Sequence, residues 1–282
     1  MTQVQLQHQH HSQQEGNNVS HPESTACNNK VLIIGDVHGC LTELKLLIRK
    51  AIHQHNQSQN FRAIILVGDL VNKGPYSAEV VQYVRKQQQK YHNVFTVRGN
   101  HDDRALAAAL GDEECAKKSR YDWVRNSLSD EDIEWLAELP YTITIPSRLL
   151  QQQMMMDSGN KKTMEDEQDV IVVHAGLLPN VALDQQDTRT MTTIRDLISE
   201  NPDETVGQNT RKENIAKAWM GPELVIFGHD AKRGLQQEEY AIGLDTGCVY
   251  GKKLCGVILP EREIVTVDAA KVYSPIVRKD KA

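Results

Sequence analysis

Short apolar runs alternate with polar turns and amphipathic segments along most of this chain. After the first run, apolar side chains recur at helical spacing from Leu41 to Ile52, and again from Val80 to Val84. This alternation predicts an α/β fold in which helices cover the outer faces of a sheet. The runs that predict buried strands are apolar or β-branched and lie at 31–34, 63–67, 94–97, 170–173 and 224–227.

A further helix and the closing strands are predicted from shorter signals. Ser129 and Asp132 resemble a capping box ahead of an apolar helical pattern between Ile133 and Leu139. A strand-like run lies at 141–145. We expect three more runs to close the fold as antiparallel strands, and these lie at 240–244, 254–259 and 264–267.

The ends of the chain and one internal stretch depart from this rhythm. Residues 1–29 are rich in Gln, His, Asn and Ser, which predicts a disordered tail, and an inert tail is favoured over loose metal binding by its histidines. Residues 148–168 contain consecutive glutamines and methionines and predict a surface insertion, with a mobile loop favoured over an adaptable contact surface. The domain is expected to span 30–275, followed by a polar end at 276–282.

Composition narrows the classes of partner. The sequence has 282 residues, of which 39% are hydrophobic and 25% charged, as is ordinary for a globular protein. Its net charge of −6 argues against a broad basic surface for nucleic acid. The five cysteines are an odd number without the closely spaced pairs of a zinc site, which favours a reducing compartment. No apolar run approaches the roughly 18 residues of a membrane span. We therefore expect a protein of the cytoplasm or nucleus without membrane contact, and the sequence predicts no particular protein partner.

Polar side chains with metal-binding chemistry follow each of the five predicted strands. Because the carboxyl ends of parallel strands meet at one edge of an α/β sheet, separate turns can deliver ligands to one crevice. Each residue alone fits a cap, a turn or a core position better, whereas recurrence at five strand ends favours a dinuclear metal centre. Oxygen and nitrogen ligands without sulfur suit Mn(II), our preferred choice, or Co, Fe or Zn. The predicted ligands are Asp36, His38, Asp69, Asn100, His174 and His229.

The residue after Asn100 offers an acid for phosphoryl chemistry. Two cations about 3.5–4 Å apart can activate a water and neutralise the charge on a phosphoryl group under attack. His101 is the predicted general acid, because imidazole changes charge near neutral pH. Two roles are open for Asp102, which could orient the His101 ring or fold back on the helix N-terminus.

Five motifs carry a resemblance to a known family. They are Gly35-Asp36-Val37-His38-Gly39, Gly68-Asp69, Gly99-Asn100-His101-Asp102, His174-Ala175-Gly176 and Gly228-His229-Asp230. Together they resemble the calcineurin-type metallophosphoesterase superfamily over residues 31–268. The resemblance implies a β-sandwich of mixed sheets flanked by helices, with the six predicted ligands at its edge and His101 as the acid. The runs at 68–75 and 244–251 are similar to those of bacterial symmetrical diadenosine tetraphosphatases and, more closely, of ApaH-like phosphatases.

Three residues depart from the related Ser/Thr protein phosphatases. Those enzymes carry Asp, Arg and Glu where this chain has Asn72, Lys73 and Asp102. A neutral Asn72 cannot support His101 as an aspartate would, and Lys73 cannot grip phosphate through two parallel hydrogen bonds. Protein phosphatase activity is therefore disfavoured, although Lys73 still offers a point charge to phosphate.

Further substrate contacts are predicted at Arg195 and Tyr250. Arg195 fits a phosphate contact and a surface salt bridge equally well, whereas a solvated state is favoured for Lys232 and Arg233. Tyr250 fits internal packing as well as stacking on a nucleobase, and the resemblance implies the latter because the bacterial enzymes have an aromatic residue in this loop.

These residues and the resemblance predict a metal-dependent hydrolase of phosphoanhydride bonds. The leading expectation is symmetrical cleavage of diadenosine tetraphosphate into two ADP. The ApaH-like family also implies inorganic polyphosphate or capped mRNA ends as alternative substrates. Protein phosphatase activity and a non-catalytic scaffold are the remaining alternatives, and retention of every ligand type argues against the scaffold.

Overall fold

The computed structural model describes residues 3–5, 29–54, 61–112, 114, 121–150, 168–200 and 210–275. Its strands are β1 Gln3–Gln5, β2 Val31–Ile34, β3 Ala63–Leu66, β4 Val94–Thr96, β5 Thr142–Ile145, β6 Val170–Val173, β7 Asp196–Glu200, β8 Thr210–Asn214, β9 Leu224–Phe227, β10 Gln236–Gln237, β11 Ala241–Gly243, β12 Lys253–Leu259 and β13 Glu263–Asp268. Its helices are α1 Leu41–Gln54, α2 Ser77–Tyr91, α3 Asn100–Ala109, α4 Val124–Ser127, α5 Asp130–Glu138, α6 Thr188–Thr193 and α7 Ile215–Ala218. The predicted strands and helices are thus confirmed in type, with ends that shift by a few residues.

Two mixed sheets form the centre of the protein. One has the strand order β13-β12-β2-β3-β4, and the other has the order β1-β5-β6-β9-β11-β10. Strands β2, β3 and β4 run parallel, as do β6, β9 and β11. Strands β7 and β8 form a separate antiparallel ribbon.

The core lies in three layers because the central strands are buried on both faces. Val31 and Ile33 of β2 pack with Val172 of β6 and Ile226 of β9, between the two sheets. The alternate residues of β2 face the other way and pack against α1 and α2. On the far side of the second sheet, Phe227 and its neighbours pack against α6 and α7. The predicted β-sandwich of mixed sheets flanked by helices is confirmed.

The predicted capping box is present at the start of α5. Ser129 Oγ accepts a hydrogen bond from the Asp132 amide at 3.2 Å. In return, Asp132 Oδ2 accepts one from the Ser129 amide at 3.1 Å. Two of the unpaired N–H groups at the helix start are satisfied in this way.

Three details differ from the sequence-based expectations. The run at 240–244 forms β11, which pairs antiparallel with β10 as expected but parallel with β9, because a short apolar run does not encode the direction of each neighbour. The expected disordered tail contains β1, which pairs parallel with β5. Backbone hydrogen bonds to an open sheet edge do not require an apolar sequence. At the start of the expected surface insertion, Leu149 and Leu150 are buried in the core between the sheets.

Other parts of those expectations lie outside the described residues, namely 6–28, 151–167 and 276–282. The domain boundaries stay predictions. Within the described part of the chain, no helix is both long enough and apolar enough to cross a membrane.

Candidate metal centre and substrate cavity

The predicted ligands meet where parallel strands of both sheets end. Asp36 and His38 follow β2, Asp69 follows β3, and Asn100 is the first residue of α3 after β4. His174 and His229 follow β6 and β9, which belong to the other sheet. Two facing sheets therefore supply the six side chains, in agreement with the expected β-sandwich. All six are at least nine-tenths buried.

Asp69 lies between two groups of predicted ligands. Its Oδ2 is 3.4 Å from His38 Nε2, and its Oδ1 is 3.4 Å from His174 Nε2. His38 Nε2 is also 3.9 Å from Asp36 Oδ2, and His174 Nε2 is 3.1 Å from Asn100 Oδ1. A carboxylate with one oxygen toward each group has the arrangement that a ligand shared by two cations requires.

Backbone carbonyls orient the three imidazoles. Nδ1 of His38 is 3.0 Å from the Val71 oxygen, and Nδ1 of His174 is 2.8 Å from the Val67 oxygen. Nε2 of His229 is 3.2 Å from the Thr193 oxygen. An N–H donated to a carbonyl fixes the tautomer and leaves the other ring nitrogen as a free donor for a metal.

The turns that carry these residues adopt uncommon backbone conformations. His38, Asp69 and His229 have φ values of 45°, 47° and 66°, in the left-handed region that most residues avoid. The His229 amide donates to Asp36 Oδ1 at 3.0 Å. This contact requires glycine at position 228, because a Cβ there would lie 1.9 Å from the same oxygen.

Burial and neighbouring charges set the ionisation of this cluster. Burial, together with the Lys73 charge, holds the pKa of His38 well below its ordinary value, and burial lowers the pKa of His229 to about 2. Burial and the nearby Asp245 raise the pKa of Asp36. Burial would raise the pKa of Asp69, but His174, His101 and His38 outweigh it and hold that pKa below its ordinary value. Neutral imidazoles beside an ionised carboxylate are the forms that bind divalent metal ions, so this donor set fits the predicted centre.

His101 lies at the same strand edge, with its ring centroid 5.0 Å from that of His38. Its amide donates to Asp69 Oδ1 at 2.8 Å. Its Nδ1 is 2.9 Å from Asn72 Nδ2 and 3.0 Å from the Tyr121 hydroxyl. Burial lowers the pKa of His101 to about 4, against the opposing effect of Asp69.

Asp102 takes the second of its two open roles. Its Oδ2 accepts from the Gly99 amide at 2.9 Å, and its Oδ1 accepts from the Leu70 amide at 3.0 Å. The carboxylate therefore folds back on the N-terminus of α3 and ties that helix to the loop after β3.

A cavity of about 1350 Å³ opens beside the cluster. The predicted substrate residues Lys73, Arg195 and Tyr250 all line it, together with Lys232 and Lys252. Lys73 Nζ lies 2.7 Å from His38 Nε2 and 5.4 Å from the centroid of the Tyr250 ring. Four cationic side chains therefore surround a space large enough for an extended anionic ligand.

Arginines near this cavity differ in what holds them. Arg195 is exposed, donates to the His229 oxygen at 3.1 Å, which directs its guanidinium toward the cluster, and forms a long ion pair with Asp230, with 3.9 Å between Nε and Oδ1. Arg233 pairs more closely with the same Asp230 and also with Asp196, the latter at 2.6 Å. Arg233 is therefore held by two ion pairs and is not in the solvated state expected for it, whereas Lys232 lies at the cavity.

Sequence reasoning overlooked two residues at this site. Tyr121, which contacts His101, follows no motif that could have drawn attention to it. Asp245 is buried, lines the cavity and has its pKa raised by burial. Asp245 belongs to the Leu244-Asp245-Thr246-Gly247 run, which was used only as part of the family resemblance and could have indicated this residue.

Comparison with known proteins agrees with this arrangement. The sequence profile described as calcineurin-like phosphoesterase matches residues 29–244, most of the chain. The chain belongs to the calcineurin-like phosphoesterase family. Membership implies an enzyme with a divalent metal centre, to which the cluster around Asp69 corresponds.

Several curated members of this phosphoesterase family are similar over most of their length. One is the asymmetrical bis(5'-nucleosyl)-tetraphosphatase PrpE of Oceanobacillus iheyensis, 30% identical over 260 residues, which are 86% of this chain and 94% of the relative. The protein of the same name from Anoxybacillus flavithermus is 29% identical over 248 residues, covering 86% and 95%. These names do not support the expected symmetrical branch.

Solved structures show the same fold. A crystal structure provisionally described as a diadenosine tetraphosphatase is 29% identical, has a TM-score of 0.65, and is matched over 95% of this chain and 97% of that one. A hypothetical protein from Pyrococcus horikoshii OT3 is 15% identical, with a TM-score of 0.53 and coverage of 86% and 88%. The second likeness concerns the fold alone.

Proposed function

We propose that this phosphoesterase hydrolyses a phosphoanhydride bond in a dinucleoside tetraphosphate, with two divalent cations, preferably Mn(II), held by the six predicted ligands. The observation that carries the proposal is the buried cluster around Asp69, which opens into a cavity of about 1350 Å³ with four cationic side chains. A metal centre beside a long cationic cavity suits a substrate with several phosphates in a row. The names of the relatives support the same substrate class.

The position of cleavage is the part of the proposal that changes most from the sequence-based expectation. The relatives are named asymmetrical enzymes, which supports a cleavage that yields ATP and AMP in place of the two ADP expected from the sequence. The outcome depends on which phosphate lies at the metal centre. The position of the phosphate chain relative to the metal centre is set by how far the chain and the first nucleoside extend past Lys73 and Arg195.

The residues of the chain have separable roles in this reaction. When bound, the cations activate a water and neutralise charge on the attacked phosphoryl group. Lys73 and Arg195 hold the phosphate chain through charge-assisted hydrogen bonds. His101 donates a proton to the leaving oxygen, and Asn72 and Tyr121 hold its ring from the Nδ1 side. Tyr250 offers a face on which a nucleobase can stack.

A product analysis tests the proposal. The full chain with Mn(II) is offered diadenosine tetraphosphate, inorganic polyphosphate, a cap analogue and a phosphopeptide in parallel. We expect AMP and ATP in equal amounts from the first. ADP alone would restore the symmetrical expectation, while turnover of only one of the other substrates would move the enzyme to that class. Bound metal without any turnover would favour the scaffold.

A pair of arginine variants tests the placement of the phosphate chain. Arg195→Ala is expected to raise KM for the tetraphosphate by about 10- to 100-fold, the value of a charged hydrogen bond. Arg189→Ala is the matched control, because Arg189 is exposed on α6 and does not line the cavity. Equal KM values for both variants would remove Arg195 from substrate binding.

A further inference from the structure

Two cysteines and a glutamate meet in the core, beside the predicted dinuclear centre. Cys40 precedes α1, Glu43 lies in the first turn of α1, and Cys248 lies in the loop after β11. One ligand atom from each lies within 4.8 Å of the others. The three residues are 0%, 1% and 2% exposed, so they lie in the interior of the protein.

The Glu43 carboxylate is only half satisfied. Its Oε1 accepts from the Ala270 amide at 2.9 Å and from the Tyr273 hydroxyl at 2.8 Å. Its Oε2 is buried and has no hydrogen-bond partner among the described residues. A buried carboxylate oxygen without a partner is costly, and a bound ion is one established explanation for such an atom.

We propose that Cys40, Glu43 and Cys248 bind a zinc ion, as a third metal site separate from the dinuclear centre. Two sulfurs and one carboxylate oxygen form a softer donor set than the sulfur-free cluster around Asp69, and sulfur ligands select zinc over manganese or magnesium. Binding displaces the two thiol protons to solvent and gives Glu43 Oε2 the partner that it lacks.

The position of the site in the fold agrees with an ionic ligand set. All three ligands lie near the N-terminus of α1, a helix of 14 residues, where unpaired N–H groups and the helix dipole favour negative charge. The site would join the turn that carries His38 to the loop that carries Asp245 and Tyr250. Bound zinc would therefore hold two walls of the substrate region in a fixed relation.

Cobalt absorption tests the site without using turnover. A full-length chain with Cys27→Ala and Cys115→Ala, produced in medium supplemented with Co(II), retains the three described cysteines. We expect thiolate-to-cobalt charge-transfer absorption in the near ultraviolet, because the dinuclear centre has no sulfur ligand. Addition of one zinc ion per chain should abolish that absorption.

Variants then assign the ligands. Cys40→Ala and Cys248→Ala should each lose most of the charge-transfer absorption. Cys255→Ala is the matched control, because Cys255 is equally buried but belongs to the core between the sheets, and it should keep the absorption. Circular dichroism identifies any variant that fails to fold.

Two results would overturn the proposal, and neither uses a variant of the three proposed ligands. In the first, elemental analysis finds cobalt bound to the chain with Cys27→Ala and Cys115→Ala, but that chain shows no thiolate absorption. The other is a Cys40–Cys248 disulfide found by mass spectrometry in the untreated full-length protein, which would make the cluster a redox pair. Both results leave the proposed hydrolysis unaffected.

Discussion

At the residue scale, the orientation of Asn72 decides how His101 is held. Asn72 Oδ1 accepts from the Lys73 amide at 2.9 Å, so its NH₂ group is the part that faces His101 Nδ1. An NH₂ donor at Nδ1 favours the neutral ring with its proton on Nε2. Asn72 therefore does contact the proposed acid, but its NH₂ group opposes the positive charge on His101 that an aspartate would stabilise.

Replacing this amide by a carboxylate should change the pH profile. Asn72→Asp places a negative charge at Nδ1, which raises the pKa of His101 from its lowered value by about one unit or more. An acid that must be protonated loses activity as pH rises through its pKa, so the alkaline limb of kcat should move to higher pH. Tyr121→Phe is the control, because it changes the contact with His101 Nδ1 without adding a charge. An unmoved alkaline limb in Asn72→Asp would show that His101 is not the acid.

Truncating His101 tests its role directly. His101→Ala should lower kcat by about 10²–10⁴-fold, the usual contribution of a positioned acid. Metal content and the folded state should be retained, because its amide, rather than its ring, donates to Asp69. Elemental analysis and circular dichroism check both, and turnover at the original level would refute the assignment.

At the scale of elements, local patterns predicted the strands and helices because each depends on nearby residues. The capping box of α5 shows this, since Ser129 and Asp132 are three positions apart and bond to each other. The direction of β11 could not be predicted in the same way, because it depends on β9, a strand with its own separate run of residues. Pairing direction is a property of the assembled sheet.

The capping box also yields a stability prediction. Ser129→Ala should lower the free energy of unfolding by about 1 kcal/mol, because the Asp132 amide loses its side-chain acceptor and keeps only the Ser129 carbonyl oxygen. Denaturant unfolding followed by circular dichroism measures the change. Glu134→Ala, at an exposed position within α5, should leave stability nearly unchanged, and an equal loss in both variants would show that the capping contact is not the cause of the loss.

At the scale of the whole molecule, the site depends on how the two sheets face each other. Strand-end motifs pointed to the six predicted ligands, because each ligand follows one of five strands. Asp245, Tyr121 and the cluster of Cys40, Glu43 and Cys248 were not identified, because their neighbours are distant in sequence. Only the folded chain brings these groups together.

Gly228 follows β9 of one sheet and lies against Asp36, which follows β2 of the other sheet. Its replacement tests how far the site depends on the arrangement of the two sheets. Gly228→Ala puts a methyl group against Asp36 Oδ1, so Asp36 or His229 must move. A displacement of about 1 Å is expected to cost roughly 10²-fold in turnover and to reduce metal content. Gly234→Ala is the control for steric contact, because a Cβ there meets nothing within 4 Å, and the backbone strain set by its φ of 73° is measured separately as a loss in the free energy of unfolding. Retained turnover in Gly228→Ala would show that the site tolerates a change in the contact between position 228 and Asp36.

The short strand β1 gives the first residues of the chain a protective role. Its backbone pairs with residues 142–144 of β5, which would otherwise be the outermost strand of the six-stranded sheet. Open edges recruit strands from other molecules. A chain shortened to begin at residue 29 should self-associate more strongly than the full chain, as light scattering at matched concentrations would report. Strand β1 is thus expected to protect this sheet edge from aggregation.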